Sequence, residues 1–128
     1  MDSATDDWAA GFFRDVDTKD IEKLAAWFAE NIELRFGNAP AVHGKESAVG
    51  ALRQFWTTFA SLRHHRESVV ANGDSASQQS IVTYTLLDGR DVALPVASYL
   101  RRTAAGTLDR LWIYADMAPF YAAAQANS

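Results

Sequence analysis

The 128-residue chain contains no cysteine, which excludes disulfides, thiol nucleophiles and cysteine-ligated metal sites. Its 12 Lys and Arg are outnumbered by 16 Asp and Glu, and no basic run offers a surface to nucleic acid. No apolar stretch approaches the roughly 20 residues that span a bilayer, and the acidic residues 1–7 lack a signal-peptide pattern. We therefore expect one cytoplasmic, soluble domain over residues 1–128, with frayed ends near 1–5 and 122–128.

Sequence motifs for cofactors and metals are also missing. The chain has no glycine-rich phosphate loop, no Gly-x-Ser-x-Gly and no zinc-ligand spacing, so we predict neither a cofactor nor a metal. Three histidines remain as groups that titrate near neutral pH. His43 lies beside a glycine and is expected at the surface. His64 and His65 are adjacent, so only one of them can face the interior of a sheet, and we favour His64.

The first half of the chain has helical periodicity. Trp8, Phe12 and Val16 recur at i, i+4 and i+8 behind a capping Asp6 or Asp7. A second helix is expected after a cap at Asp17 or Thr18, followed by a short strand over 32–36. The glycine and proline of 37–40 end this strand. A long amphipathic helix is predicted over about 45–60.

The second half has the alternation and turn signals of strands. Asn72-Gly73-Asp74 and Asp88-Gly89 are typical hairpin turns. They divide four predicted strands, over 64–71, 80–87, 92–102 and 107–115. Helices followed by strands predict an α+β fold, with three N-terminal helices packed on a strongly curved, mostly antiparallel sheet. Such a sheet encloses a cone-shaped cavity. Aromatic residues make up 12% of the chain, and we expect their side chains to line this cavity.

Four stretches of the chain carry a family resemblance: 24–31 (LAAWFAEN), 35–45 (RFGNAPAVHGK), 83–90 (TYTLLDGR) and 113–119 (IYADMAP). Together they resemble the SnoaL-like branch of the nuclear transport factor 2-like superfamily. This group includes ketosteroid isomerases, limonene epoxide hydrolases, polyketide cyclases and non-catalytic domains, so the resemblance implies the α+β cone fold but no single reaction.

The resemblance also shows which catalytic groups are missing. The isomerase base falls at Arg35, which stays protonated, and its oxyanion-hole residues fall at Phe12 and Ala97. The hydrolase carboxylates fall at Ile113 and Thr83. Neither constellation is present, so we expect any chemistry to differ from both.

The resemblance predicts a mainly apolar pocket. Arg35 and Tyr99 are its candidate groups for polarising a ligand oxygen, and His64 is the candidate for moving a proton. Alternatively, Arg35 pairs with Glu33 or Asp116. Asp116 is expected either to cap a C-terminal turn or to place its carboxylate at the mouth of the cavity. The predicted lining is Phe12, Trp27, Arg35, Phe55, Phe59, Ile81, Thr83, Thr85, Ala97, Tyr99, Leu111 and Ile113.

Three functions fit these residues. The first is a cofactor-independent cyclase, isomerase or dehydratase acting on a small apolar or anionic molecule. The second is a non-catalytic binding protein for such a molecule, and the third is a dimerisation domain whose pocket is filled by its own side chains. Trp112 and Tyr114 are expected on the outer sheet face, where the resemblance implies a homodimer.

Overall fold

The structure is a computed structural model that describes residues 7–126. Within this range, four helices and six strands form a curved, open α+β cone, as predicted. In chain order the elements are α1 (Trp8–Asp17), α2 (Ile21–Ala26), β1 (Phe28–Phe36), β2 (Val42–His43), α3 (Lys45–Trp56), β3 (Phe59–Asn72), β4 (Ser75–Leu86), β5 (Asp91–Arg102), β6 (Leu108–Tyr114) and α4 (Ala118–Gln125).

The sheet runs in the order β2-β1-β6-β5-β4-β3. Strand β1 pairs with β6 in parallel, while the other neighbours are antiparallel, so the prediction of a mostly antiparallel sheet is confirmed. On β4 and β5 the buried side chains alternate strictly with more exposed ones. This alternation gives the sheet one face toward the core and one outer face.

The helices bury their apolar faces against the concave side of this sheet. Asp7 caps α1 by accepting a hydrogen bond from the Ala10 amide at 3.2 Å. The helix then buries Phe12, Phe13 and Val16. In α3 the buried side chains recur with helical spacing, at Ala48, Val49, Leu52 and Trp56.

Helix α4 closes one end of the aromatic core. Its Phe120 is buried, with its ring centroid 5.1 Å from that of Tyr84, 5.8 Å from Phe55 and 6.1 Å from Phe59. Before this helix, the Asp116 carboxylate accepts from the Ala118 amide at 3.0 Å, the capping role offered as one alternative above. No helix within residues 7–126 is long and apolar enough to cross a membrane.

Several predicted element bounds are wrong. The second helix is capped by Asp20, because Thr18 ends α1 and Lys19 turns the chain with a φ of 55°. The predicted helix over 45–60 ends at Trp56, where the hydroxyls of Thr57 and Thr58 bond to carbonyls of the preceding turn.

The predicted fraying concerns both ends of the chain. The C-terminal segment 122–128 is helical as far as Gln125. The N-terminal segment 1–5 and the last two residues lie outside the described part of the chain.

Candidate functional site

A small apolar cavity lies between α1, α3 and the concave face of the sheet. Its free volume is about 50 Å³, whereas sites for small molecules commonly measure about 300–1,000 Å³. Phe12, Phe55, Leu111 and Ile113, all predicted as lining, do line it. The cone is therefore largely filled by its own side chains, and a metabolite can enter only if some of these move.

The most polar feature of this cavity is a hydrogen-bonded pair formed by His64 and Asp17. His64 lines the cavity from β3, with its side chain 11% exposed. Its Nδ1 lies 2.6 Å from Oδ1 of Asp17, and its backbone amide donates to Oδ2 of the same carboxylate at 2.9 Å. Since Nδ1 is held by a carboxylate, the neutral ring carries its proton there, and Nε2 is the nitrogen left for a ligand.

The position of Asp17 in its helix is unfavourable for a carboxylate. Asp17 is the last residue of α1, where the helix dipole presents partial negative charge. An acidic side chain at this end costs about 0.3–1 kcal/mol at an exposed site. The two hydrogen bonds to His64 offset this cost, so the pair is stabilised by tertiary structure rather than by local helix preference.

Two further polar side chains reach the cavity from the sheet. Tyr84 on β4 is buried, and burial is the largest cause that raises the pKa of its phenol, with smaller contributions from Tyr121 and Asp17. The hydroxyl therefore stays protonated and can act as a hydrogen-bond donor over the whole physiological range. Ser98 on β5 is also buried and also lines the cavity.

A second apolar compartment of about 190 Å³ adjoins the first. It lies between α3, the turn that follows β1, and Tyr121 of α4. Phe36, Leu52 and Phe55 line both compartments, so their side chains form the wall between them. Of these three, Leu52 is buried, while Phe36 and Phe55 are half-buried.

The predicted orientation of β4 and β5 is wrong by one residue. Ile81, Thr83, Thr85, Ala97 and Tyr99 were expected to line the pocket, but they lie on the outer face. The buried positions of these strands are even-numbered: Ala76, Gln78, Ser80, Val82, Tyr84, Leu86, Leu94, Val96, Ser98 and Leu100. A slip of one residue turns every side chain of a strand to the opposite face, and the resemblance to distant enzymes did not fix this register.

Arg35 and Tyr99 lie away from the cavity. On β1 the inward positions are Ile32, Leu34 and Phe36, so Arg35 is on the outer face as well. Arg35 stacks on Trp112, with its guanidinium carbon 5.0 Å from the ring centroid, and lies 3.9 Å from a carboxylate oxygen of Glu33. Tyr99 packs on the same Trp112 ring at 5.4 Å, and its hydroxyl lies 3.1 Å from that of Ser75. The pairing of Arg35 with Glu33, one of the alternatives above, is the arrangement found.

Trp27 and Phe59 were also predicted to line the pocket, and they do not. Trp27 lines neither compartment; its indole donates to Asp15 at 2.9 Å and packs edge-on to Phe12. Phe59 is fully buried among the aromatic rings rather than lining the free volume. His65 is exposed on the outer face, opposite Ile81 in the register.

The structure adds Asp17, Tyr84 and Ser98 to the site residues predicted from the sequence. The sequence predicts Asp17 only as a helix cap, and no local signal connects it to a histidine 47 residues away. Ser98 had a signal in the alternation of β5, where Val92, Leu94, Val96 and Leu100 share one face. Tyr84 had one in the alternation of β4, where Val82 and Leu86 share its face. Within residues 7–126 no group of three or more His, Asp or Glu side chains comes together to hold a metal ion.

Comparison with known proteins gives a clear family and distant structural neighbours. The family model of the SnoaL-like domain matches residues 9–110. No curated protein sequence matches the chain. A nuclear transport factor 2-like protein of unknown function from Burkholderia pseudomallei is 15% identical, with a TM-score of 0.75, covering 86% of this chain and 88% of that one.

Two further structures have similar scores. A proposed SnoaL-like polyketide cyclase from Shewanella denitrificans is 13% identical, with a TM-score of 0.78 and coverage of 92% of this chain and 94% of that one. TerC, co-crystallised with polyporic acid, is 16% identical, with a TM-score of 0.73 and coverage of 88% and 92%. At these identities the neighbours share the fold, and the reaction has to be argued from the site.

Proposed function

The chain belongs to the SnoaL-like domain family, and on that premise we propose that it is a cofactor-independent enzyme that moves a proton on a small, largely apolar molecule. The reaction would be of the cyclase, isomerase or dehydratase type, at a carbon next to a carbonyl group. The observation that supports this most strongly is the Asp17–His64 pair against an apolar cavity. A histidine oriented by a carboxylate is a common arrangement for a general base.

In the proposed reaction, Nε2 of His64 accepts a proton from the substrate carbon. The imidazole then carries two protons, and the carboxylate of Asp17, 2.6 Å from Nδ1, stabilises the positive charge. The electron pair of the broken C–H bond moves into the carbonyl, giving an enolate. In an isomerisation of a β,γ-unsaturated ketone, the carbonyl re-forms, the double bond shifts into conjugation and His64 returns the proton at the γ-carbon. In a dehydration of a β-hydroxy ketone, the carbonyl re-forms, the C–O bond to the hydroxyl breaks and His64 protonates the departing oxygen to give water.

Tyr84 is the proposed donor to the enolate oxygen. Tyr84 lines the same cavity as His64, from the neighbouring strand β4. Its raised pKa keeps the hydroxyl protonated while charge develops on the substrate. Tyr84 thus takes the role that the sequence had suggested for Arg35 and Tyr99. With Arg35 on the outer face, the cavity favours an uncharged substrate over an anion.

Exchange of carbon-bound hydrogen tests this proposal without knowledge of the natural substrate. We suggest 2-tetralone, an apolar and readily enolised ketone, incubated with the protein in D₂O and followed by proton NMR. His64→Gln should reduce the protein-dependent exchange rate by about 10²–10⁴-fold, the usual contribution of a general base. His65→Gln is the matched control, because this neighbouring histidine is exposed on the outer face, and it should exchange at the wild-type rate.

Two results would contradict the proposal. Equal loss of exchange in both histidine variants would point to a general effect on folding. Binding of the ketone with no exchange above the buffer rate would favour the non-catalytic alternative, in which the same pocket only holds a ligand.

We also propose that two copies pair through the outer sheet face. Tyr114 is 48% exposed there, beside Trp112, whose indole is held by a hydrogen bond to Glu33 at 2.9 Å. A large exposed aromatic next to a fixed one on a sheet face is suited to a protein contact.

A further inference from the structure

We infer that the second apolar compartment is a subsite for the uncharged tail of the substrate, and that Phe55 is the residue that sets how large a tail is accepted. This inference rests on the proposed function, because the head of the same molecule is taken to reach His64. The structure has two compartments where the reaction needs one continuous space, and a half-buried ring separates them.

The lining of the second compartment determines the chemistry of its occupant. Leu34, Pro40, Val42, Ala51 and the three wall residues present hydrocarbon to it, and Tyr121 supplies a phenol ring. Every side chain that lines it, within the part of the chain that the structure describes, is uncharged. Ala39, Pro40 and Ala51 are exposed, so one side of the compartment opens to solvent. A charged group that enters it would lose part of its hydration without gaining a partner from the lining. The compartment is therefore suited to an alkyl or aryl group and unsuited to an anion.

The volumes explain why Phe55 must move. The inner compartment of about 50 Å³ cannot hold a substrate ring, whereas the outer one, at about 190 Å³, approaches the size of a small ligand site. When the Phe55 ring turns aside, the space that it vacates joins the two. The merged site then runs from the outer turn to the Asp17–His64 pair.

The position of Phe55 allows such a movement. It lies in the last turn of α3, one residue before the helix ends at Trp56. Its ring makes edge contacts with Phe36 and Phe59, each at a centroid distance of 5.1 Å. It also packs on Phe120 at 5.8 Å and on Tyr84 at 6.1 Å. These contacts hold the ring in the closed position without a hydrogen bond or a charge, so a bound tail can replace them with similar apolar contacts.

A homologous series of neutral 4-alkylphenols tests the subsite. The phenol hydroxyl imitates the enol that the proposed reaction forms, and the chain probes the second compartment. Calorimetric titration with 4-ethyl-, 4-butyl- and 4-hexylphenol should show affinity increasing with each added methylene, by up to about fourfold, the value for full burial of that group. Ala51→Trp would place an indole in the second compartment and should make the affinity almost independent of chain length.

Gln54→Trp is the matched control for this variant. Gln54 is another exposed residue of α3, outside the lining of both compartments, so this variant should keep the wild-type dependence on chain length. Wild-type dependence in Ala51→Trp would overturn the subsite. Absence of binding by every phenol to the wild-type protein would overturn it as well.

Two further variants separate the subsite from the proposed function. His64→Gln should weaken all three phenols by a similar factor and leave the chain-length dependence intact. If His64→Gln has no effect while Ala51→Trp still removes the dependence, the subsite stands and the assignment of His64 fails. Phe55→Ala should bind 4-hexylphenol faster and more tightly than the wild-type protein. Slower or weaker binding by a folded Phe55→Ala protein would refute the role of this ring as the partition.

Discussion

Replacing Asp17 separates the structural role of this carboxylate from its proposed chemical role. Asp17→Ala removes the acceptor of two hydrogen bonds. One comes from the backbone amide of His64 at 2.9 Å, and the other joins the carboxylate to Nδ1 of the His64 ring at 2.6 Å. A buried donor that loses its partner costs about 1–3 kcal/mol, and a hydrogen bond to a charged group contributes about 1.5–3 kcal/mol. Relief of the unfavourable charge at the end of α1 returns up to about 1 kcal/mol.

The expected loss for Asp17→Ala is therefore about 3 kcal/mol in the free energy of unfolding. For a chain of 128 residues this lowers Tm by roughly 10 °C. Urea denaturation and thermal unfolding monitored by circular dichroism measure both quantities. A change below about 1 kcal/mol would refute the reasoning, since it would mean that the two bonds contribute little to the fold.

Asp17→Asn is the more informative variant. The asparagine carbonyl can still accept from the His64 amide, so the free energy of unfolding should stay within about 1 kcal/mol of the wild-type value. Its NH₂ group, however, faces Nδ1 and can only donate, which moves the imidazole proton to Nε2. The nitrogen proposed to accept the substrate proton is then blocked.

Two measurements follow the tautomer and its consequence. ¹⁵N NMR of the ring should show the proton on Nδ1 in the wild-type protein and on Nε2 in Asp17→Asn. The exchange rate of 2-tetralone should fall by at least about 100-fold, although the protein remains folded. A stable Asp17→Asn protein with wild-type exchange would show that the carboxylate does not orient a base.

Two further predictions concern pH and assembly. A hydrogen bond from Arg66 is the largest cause that holds the pKa of the Asp7 carboxyl below its usual range. Because this pKa is lower in the folded than in the unfolded chain, the carboxylate stabilises the fold at pH values above the unfolded-state pKa, and this stabilisation is lost as pH falls. Any stability advantage of the wild-type protein over Asp7→Asn should therefore shrink in urea titrations below about pH 4. Size-exclusion chromatography with light scattering should give twice the 14.1 kDa chain mass for the wild-type protein and the single mass for Tyr114→Glu. Leu87→Glu, at a position 72% exposed in the β4–β5 turn, should remain dimeric, and a monomeric wild-type protein would exclude the proposed pairing.

The fold could be predicted from the sequence because its signals are local. Hairpin turns at 72–74 and 88–89 divide the strands, and the spacing of Trp8, Phe12 and Val16 identifies the first helix. The hairpin and helix signals depend on neighbouring residues, which a sequence displays directly. The family resemblance, by contrast, implied the orientation of the last strand, and the structure has Leu111 and Ile113 toward the core.

The site was less predictable because its elements meet only in three dimensions. On β5 the apolar residues at 92, 94, 96 and 100 mark the inner face, yet positions carried over from distant enzymes favoured Ala97 and Tyr99. His64 was singled out for its chemistry, but its partner lies 47 residues earlier in the chain. An aspartate at the end of a helix gives no sign in the sequence that it will meet a histidine.

The parallel pairing of β1 with β6 has a consequence for how the chain is made. Leu34 pairs with Leu111 and Phe36 with Ile113, so β1 has no long partner until more than 70 further residues have been synthesised. Short β2 covers only two residues of its other edge. Until β6 has been made, the backbone groups along this edge of β1 have no strand partner, and unpaired strand edges are prone to aggregate. Pairing of β1 with β6 joins distant parts of the chain, so we expect it to be a late event in folding.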